Sequence, residues 1–309
     1  MNKDNKRKIQ RFFGKFTGAN RQQEEIETLY YFLNNYLDIK SIGPTKNKDL
    51  RDLQLCSTEL LAVFDKVCDK NGLTWWLDYG SILGCIRHNG FIPWDDDMDI
   101  AMPREDYNRL IPLIKDEMQG YGIVVRSGGY YDDRGSMERL AIAYKTLETG
   151  AWIDVFPVDK IEVSAPLDEI KDIIYKKNNE YNKIYRKNKH KWSEEEFIKL
   201  KSEMYKELEK GKTKIYFHGQ EFEGCNDFIM SESDIFPLKK HKFENYYFNV
   251  PNNYDMYLRQ LFGDSYMSYP RTGVEHHMDP DGTKASERAR KNQIDMNKEI
   301  KYLKSIMDN

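Results

Sequence analysis

The chain has 309 residues, of which 32% are charged and 13% aromatic, and its formal net charge is −3. That length allows one substantial core or two modest ones, and the nearly balanced charge argues against a nucleic-acid binder that neutralises phosphates over a broad surface. No apolar run approaches the ~20 residues that cross a bilayer, and the N-terminus has no apolar signal-peptide core, so we expect a cytoplasmic protein.

Residues 1–45 are predicted to form a basic, helical N-terminal extension. The first 22 residues contain seven Lys or Arg against one acid, and Ile9, Phe12, Phe13 and Phe16 recur at helical spacing. This pattern is typical of an interfacial helix on anionic lipid, which would make the protein peripheral at the inner face of a membrane. A basic terminus that frays, or a helix packed on the domain, would have the same pattern. A second helix is predicted over residues 24–36.

Residues 46–165 are predicted to form the core domain. Helical periodicity covers residues 49–71 and ends at Gly72, and an aromatic-rich strand follows over 73–77. Gly80-Ser81 precedes a helical segment at 82–88. A helix from Pro103 to residue 118 and three strands at 123–125, 140–144 and 152–156 complete the pattern. These elements predict an α+β fold, with a mixed β-sheet flanked by helices.

An acidic run, Asp95-Asp96-Asp97-Met98-Asp99-Ile100, follows that helical segment. As a strand it would present Asp95, Asp97 and Asp99 on one face, and such clustered carboxylates need a compensating cation. Mg²⁺ or Mn²⁺ suits these oxygen ligands. A solvated acidic loop is the alternative. An EF-hand calcium loop is disfavoured because its sixth position, which requires Gly, is Ile100, and its twelfth is Asp106.

Asp154 is an ionisable residue within an apolar strand, between Ile153 and Val155. A buried Asp needs a partner, and the same cation would provide one. Otherwise Asp154 caps a turn near Pro157, or pairs with Arg139 or Lys145.

Together these residues suggest phosphoryl chemistry. Backbone N–H groups at Gly80 and the Ser81 hydroxyl can hold one phosphate of a diphosphate at a helix N-terminus. Asp97, Asp99 and Asp154 can hold one or two Mg²⁺ or Mn²⁺ ions that bridge phosphate oxygens. Asp154 or Asp95 would be the general base. Four residues are candidates to neutralise the leaving phosphate: Arg87, His88, Arg139 and Lys145.

The remainder of the chain divides into two parts. Residues 166–220 are predicted to be a charged helical insertion of two helices, the second capped by Ser193, that covers a site or binds a partner. Residues 221–309 contain a predicted helix at 254–262 that ends at Gly263. They also contain His276-His277, which could ligate a metal or contact phosphate, or could be a surface feature.

The run from Tyr79 to Ile100 resembles the signature of the LicD family of phosphotransferases, which includes fukutin and fukutin-related protein. The resemblance extends to Asp69–Gly72 and to Asp154-Val155-Phe156-Pro157, and resumes from Phe236-Pro237-Leu238 to His276 or His277. It implies that residues 221–309 complete the site of a nucleotidyltransferase-like domain. Gly80, Ser81, Asp97, Asp99 and Asp154 would then take the phosphate and metal roles.

The activity implied by this resemblance is metal-dependent transfer of phosphocholine or a polyol phosphate from a CDP-linked donor to a sugar hydroxyl, releasing CMP. The acceptor would be a cell-surface glycan or its lipid-linked oligosaccharide precursor, such as teichoic acid, lipopolysaccharide or capsule. Cys56, Cys68, Cys85 and Cys225 contain no C-x-x-C pair and do not match the zinc loop of the fukutin-related branch, which favours a bacterial-type enzyme. A nucleotidyltransferase that uses an NTP and releases diphosphate is the nearest alternative. A non-catalytic glycan-binding or membrane scaffold is another.

Overall fold

The structure is a computed structural model of the chain. It describes residues 19–119, 123–132, 135–144, 151–164, 167–206, 211, 213–218, 228–270 and 295–307. None of the helices in these ranges is long and apolar enough to cross a membrane.

The first half of the described chain contains four α-helices, a short 3-10 helix and five strands. In order they are α1 (Ala19–Tyr36), a short 3-10 helix (Ile39–Ser41), α2 (Lys48–Asn71), β1 (Trp76–Leu77), α3 (Tyr79–His88), β2 (Asp99–Pro103), α4 (Arg104–Gln119), β3 (Ile123–Asp132), β4 (Gly135–Tyr144) and β5 (Trp152–Val163). The second half contains α5 (Leu167–Asn188), α6 (Glu194–Tyr205), β6 (Thr213–His218), β7 (Ile229–Ser231), α7 (Glu232–Ile235), β8 (Lys239–Phe243), β9 (Tyr246–Val250), α8 (Tyr254–Phe262) and α9 (Met296–Met307).

The main sheet has the strand order β1-β2-β5-β4-β3, and β2 runs parallel to β5 while the other pairs are antiparallel. β5 is long enough to pair with β2 and β4 at its start and with β6 at its end, and β7 pairs with β6. β8 and β9 form a separate hairpin. The α+β prediction, with a mixed sheet and flanking helices, is therefore confirmed.

The core lies between α2, the sheet and the β8–β9 hairpin. α2 begins where the Asn47 side chain accepts a hydrogen bond from the Leu50 N–H (3.0 Å), and it ends at Gly72, whose φ of 61° favours glycine. The Trp75 and Trp76 side chains are fully buried, so the short strand β1 is fixed within the core. The same core places the start of β2 beside α3.

Several predicted element boundaries differ from those observed. The predicted strand at 73–77 is reduced to Trp76–Leu77, and β3 to β5 are longer than expected. The acidic run is not one strand, because β2 begins only at Asp99 and residues 96–98 are irregular. Asp159 lies within β5 and forms an ion pair with Arg104 (2.7 Å).

The charged segment after the core folds as two helices, as predicted. The Ser193 hydroxyl accepts the Glu196 N–H (3.3 Å) and the Glu196 carboxylate accepts the Ser193 N–H (2.7 Å), which is a reciprocal capping box at the start of α6. Tyr181, Tyr185 and Phe197 form a small core between the helices. Residues 213–218, assigned to the same insertion, form β6 of the main sheet, so the helical part ends before them.

Candidate functional site

The N-terminus of α3 is held by a tight turn. The Asp78 carboxylate accepts the Tyr79 N–H (2.8 Å), and Tyr79 has a φ of 39°, which is unusual for a residue with a side chain. Gly80 follows. A Cβ atom at Gly80 would lie 2.7 Å from Asp95 Oδ2, so any other residue there would force the Asp95 carboxylate to move.

The acidic loop before β2 brings three consecutive carboxylates together. Asp95, Asp96 and Asp97 are buried, and each offers one oxygen within 4.8 Å of the others. The prediction that Asp95, Asp97 and Asp99 lie on one face of a strand was wrong, because residues 96–98 are irregular and β2 begins only at Asp99. The buried Gln54 side chain on α2 donates to the carbonyl oxygens of Ile92 (3.3 Å) and Asp95 (2.9 Å), and so fixes the loop backbone.

Strand pairing adds two more carboxylates. Asp99 lies directly opposite Asp154 in the parallel register of β2 and β5. The Asp154 N–H donates to the Met98 carbonyl (2.8 Å), so this pairing continues into the loop. Pro157 is inside β5, which excludes the turn-cap alternative for Asp154. The Ser81 hydroxyl accepts the Asp99 N–H (2.8 Å) and ties the start of β2 to α3.

Burial and mutual repulsion act on this cluster. The pKa of Asp99 is raised well above its usual value by desolvation and then by the charges of Asp97, Asp154, Asp95 and Asp78. The pKa of Asp95 is raised by desolvation and by Asp97. These carboxylates repel one another when they are ionised. A hard divalent cation would offset that repulsion, because it binds carboxylate oxygens. The residues therefore fit Mg²⁺ or Mn²⁺.

A buried network behind the cluster was not predicted. The Tyr257 hydroxyl on α8 donates to the Asp78 carboxylate (2.7 Å) and accepts the Trp76 indole N–H (3.0 Å). The Asp78 backbone N–H donates to the Asp99 carbonyl (3.0 Å). This network links α8 to the turn before α3 and to the start of β2.

Arg87 and His88 end α3 at the side of the acidic loop. Arg87 is buried and donates to His88 Nε2 (3.0 Å) and to the Tyr266 carbonyl (2.9 Å). Burial lowers its pKa to about 10 while the charge of Asp95 opposes that shift, so Arg87 remains a cation near the cluster. Desolvation and Arg87 lower the pKa of His88 to about 4. The imidazole is therefore neutral near pH 7 in this environment, and a role for His88 at the leaving phosphate stays a prediction.

The other predicted phosphate ligands are not tested by this geometry. The Arg139 backbone lies in β4, but its side chain is outside the described part of the structure, as are Lys145, His276 and His277. Sequence reasoning missed Gln54, Asp78, Asp96 and Tyr257. Asp78 alone had a local signal, since an Asp directly before a helix is a favoured N-cap.

The mixed sheet, the glycine-led helix and the clustered carboxylates agree with the nucleotidyltransferase-like domain that the resemblance implies. Residues 72–197 match the family model described as the LicD/FKTN/FKRP nucleotidyltransferase domain. Over these residues, the match confirms the family that was recognised from the sequence.

Several characterised relatives match over short stretches. The chain is 40% identical over 68 residues to the lipopolysaccharide cholinephosphotransferase LicD of Haemophilus influenzae, a stretch that covers 22% of this chain and 26% of that protein. It is 32% identical over 76 residues to the human ribitol 5-phosphate transferase FKRP, covering 25% of this chain and 14% of that protein. The chain therefore spans about a quarter or less of the length of these relatives, which include both bacterial and mammalian proteins.

Proposed function

We propose that this chain transfers an alcohol phosphate, such as phosphocholine or a polyol phosphate, from a CDP-linked donor to a sugar hydroxyl of a glycan. The observation that carries the proposal is the pairing of Asp99 with Asp154 beside the acidic loop, on a domain of this family. The LicD relative is a cholinephosphotransferase and the FKRP relative is a ribitol 5-phosphate transferase, and both activities support the same reaction class.

In this reaction the sugar hydroxyl oxygen attacks the phosphorus that bears the alcohol. The bond from that phosphorus to the bridging oxygen breaks, and CMP leaves with the electron pair. A divalent ion bound by Asp97, Asp99 and Asp154 would screen the negative charge of the diphosphate. The hydroxyl proton passes to a carboxylate, for which Asp95 and Asp154 are the candidates. A raised pKa, as at Asp95, is the direction that suits a general base near neutral pH.

The other groups around the cluster have positioning roles. Gly80 leaves space for the Asp95 carboxylate, and Ser81 fixes the backbone of Asp99. The buried cation of Arg87 offsets part of the charge of Asp95. We further propose that the acceptor is a cell-surface glycan or its lipid-linked precursor, and that the enzyme works on the cytoplasmic side of the membrane, as a bacterial-type member of the family.

The test is a donor panel followed by phosphorus NMR. CDP-choline, CDP-ribitol, CDP-glycerol and CTP are each incubated with a glycan acceptor and Mg²⁺, with and without EDTA. Release of CMP and a new glycan phosphodiester are expected from one CDP-alcohol, and EDTA should abolish both. Release of diphosphate from CTP would instead support the nucleotidyltransferase alternative.

Variants separate chemistry from mere binding. Asp97→Asn should reduce transfer by about 10²-fold or more, because a carboxylate ligand is lost. Asp264→Asn is the matched control, since the Asp264 side chain is 90% exposed and lies outside the cluster. No transfer from any donor would leave the non-catalytic scaffold as the better explanation, whereas undiminished transfer in Asp97→Asn would contradict the metal-ligand role of Asp97.

A further inference from the structure

The turn of the β8–β9 hairpin packs on the segment that leads into the acidic loop. Glu244, the first residue of that turn, has a φ of 52°, a left-handed conformation that disfavours a residue with a side chain. Its backbone N–H donates to the Asn89 carbonyl (2.8 Å), and its carboxylate accepts the Phe91 N–H (3.4 Å). A Cβ atom at Gly90 would collide with the same carboxylate. Glu244 therefore keeps a costly backbone conformation while its side chain lies against the start of the loop.

The Glu244 carboxylate also holds Arg51 on α2. Arg51 Nη1 and Nη2 donate to the two carboxylate oxygens (2.8 and 2.6 Å), a bidentate geometry that fixes the guanidinium in one orientation. Both side chains are largely buried, with exposures of 22% for Arg51 and 13% for Glu244. Arg51 Nη1 also donates to Gln54 Oε1 (3.4 Å), one turn further along α2. Glu244 thus determines where Arg51 presents a donor to Gln54.

This donor sets the orientation of the Gln54 side-chain amide. Gln54 must turn its NH₂ group towards the Ile92 and Asp95 carbonyl oxygens to make the two hydrogen bonds that fix the acidic loop. Because a guanidinium can only donate, Arg51 favours the orientation in which the Gln54 oxygen faces it. The rotated amide would place its oxygen against two carbonyl oxygens and its NH₂ group against a cation. A contact at the hairpin therefore reaches the Asp95 backbone through two side chains.

We propose that Glu244 is a positioning residue for the acidic loop and acts on it through Arg51 and Gln54. The β8–β9 hairpin holds the start of the loop directly, at residues 89–91, and its end indirectly, at the Asp95 carbonyl. Displacement of that backbone moves the clustered carboxylates relative to the start of β2. The consequence for phosphate transfer rests on the proposed function, whereas the effect on the loop does not.

The experiment is hydrogen–deuterium exchange of the intact chain, measured by mass spectrometry in EDTA and without substrate. Glu244→Gln replaces one of the two acceptor oxygens by a donor and so breaks the bidentate pair with Arg51. The amides of residues 92–97 should exchange about tenfold or more faster in this variant, while those of β6 and β7 should be unchanged. Because neither metal nor donor is present, this result is independent of the proposed reaction.

Transfer kinetics and the response to Mg²⁺ give two further measurements. The kcat of Glu244→Gln should fall by about tenfold with a smaller change in the KM for the donor, since Glu244 acts on the loop and not on the substrate. The Mg²⁺ concentration that gives half of the rise in melting temperature should increase by about tenfold. A double-mutant cycle with Gln54→Leu tests the route. Glu244→Gln should add little to either loss once the Gln54 amide has been removed.

Asp159→Asn is the matched control. Asp159 also accepts two hydrogen bonds from one guanidinium, that of Arg104 (2.7 and 3.3 Å), and the exposures of these side chains, 17% and 23%, resemble those of the Glu244 pair. Arg104 follows the end of β2, about 16 Å along the strand from Asp99. Asp159→Asn should lower stability towards urea as Glu244→Gln does, but leave the loop exchange, kcat and the Mg²⁺ response unchanged.

Three outcomes would overturn the proposal. Unchanged exchange of residues 92–97 in Glu244→Gln would show that the hairpin does not hold the loop. Equally fast loop exchange in Asp159→Asn would reduce the effect to a general loss of stability. Additive losses in the cycle with Gln54→Leu would exclude the route through Gln54.

Two further arms keep the test decisive. If Glu244→Gln does not fold, Arg51→Lys takes its place with the same expectations, because it keeps the charge but lacks the planar fork. If the unmodified chain transfers phosphate from no donor, the proposed function fails, while the exchange of residues 92–97 in EDTA still decides whether Glu244 positions the loop.

Discussion

Asp99 and Asp154 face each other across the parallel strands β2 and β5, and the charge of Asp154 helps to raise the pKa of Asp99. In a strand pair, like charges at opposite positions destabilise the fold. The protein therefore maintains a repulsive pair at the centre of its sheet, close to Asp97 and Asp95. Such a repulsive pair is expected where the carboxylates are present to bind a cation and not only to stabilise the fold.

The first prediction is that Asp99→Asn separates stability from function. In EDTA the variant should melt above the unmodified protein, because one member of the mutually repelling carboxylate cluster is removed, by roughly 2–4 °C for each kcal/mol of repulsion relieved. The rise in melting temperature on adding Mg²⁺ should shrink, and phosphate transfer should fall. Differential scanning fluorimetry with and without Mg²⁺ measures both effects. A variant that melts lower in EDTA and keeps its full response to Mg²⁺ would contradict this explanation.

A second prediction concerns the close approach of Gly80 to Asp95. Gly80→Ala should reduce transfer by roughly tenfold or more, because the Asp95 carboxylate must move away from the new methyl group. Stability should change little, since alanine is the better helix former by up to about 1 kcal/mol. Steady-state kinetics and urea unfolding measure the two quantities. Gly43→Ala is the control, because a Cβ there meets no atom within 4 Å, and it should retain full activity.

The third prediction addresses Tyr257. Tyr257→Phe removes the hydroxyl between Trp76 and Asp78 and leaves both buried polar groups short of a partner, at a cost of about 1–3 kcal/mol in unfolding free energy. Because Asp78 holds the turn before α3 and the start of β2, kcat should fall while the KM for the donor changes less. Tyr247→Phe, at a 63% exposed position, is the control and should be neutral. Loss of stability with unchanged kcat would mean that the network has no influence on the site.

The fourth prediction is a pH dependence of stability from His88. Its pKa is about 4 in the folded protein and 6.5 in the reference state, so the unfolded chain binds more protons between these values. This contribution to stability is therefore present above pH 6.5 and is lost as the pH falls towards 4. Between pH 7 and pH 5 the unfolding free energy of the unmodified protein should drop by about 1–2 kcal/mol more than that of His88→Gln. Urea titrations at both pH values test it, and parallel pH profiles would contradict it.

Local sequence patterns identified the components of the site. Residue chemistry or short-range periodicity marks each of these components. They are Gly80-Ser81 at a helix start, the acidic run, and Asp154 within an apolar strand. Helix limits were predictable where a cap or stop is local, as at Gly72 and Gly263. The acidic run was misassigned as a strand because alternation of residue types does not reveal packing of the loop against Gln54 on a distant helix.

The sequence by itself determined the α+β class, the family signature and the residue types that can bind a divalent cation. Only the tertiary structure decided that Asp96 joins Asp95 and Asp97, that Asp154 lies opposite Asp99, and that Tyr257 supports Asp78. The physical reason is that strand register and buried polar pairing depend on contacts between residues far apart in the chain. No local period encodes such contacts, whereas the propensity and chemistry of a short segment are present in the segment itself.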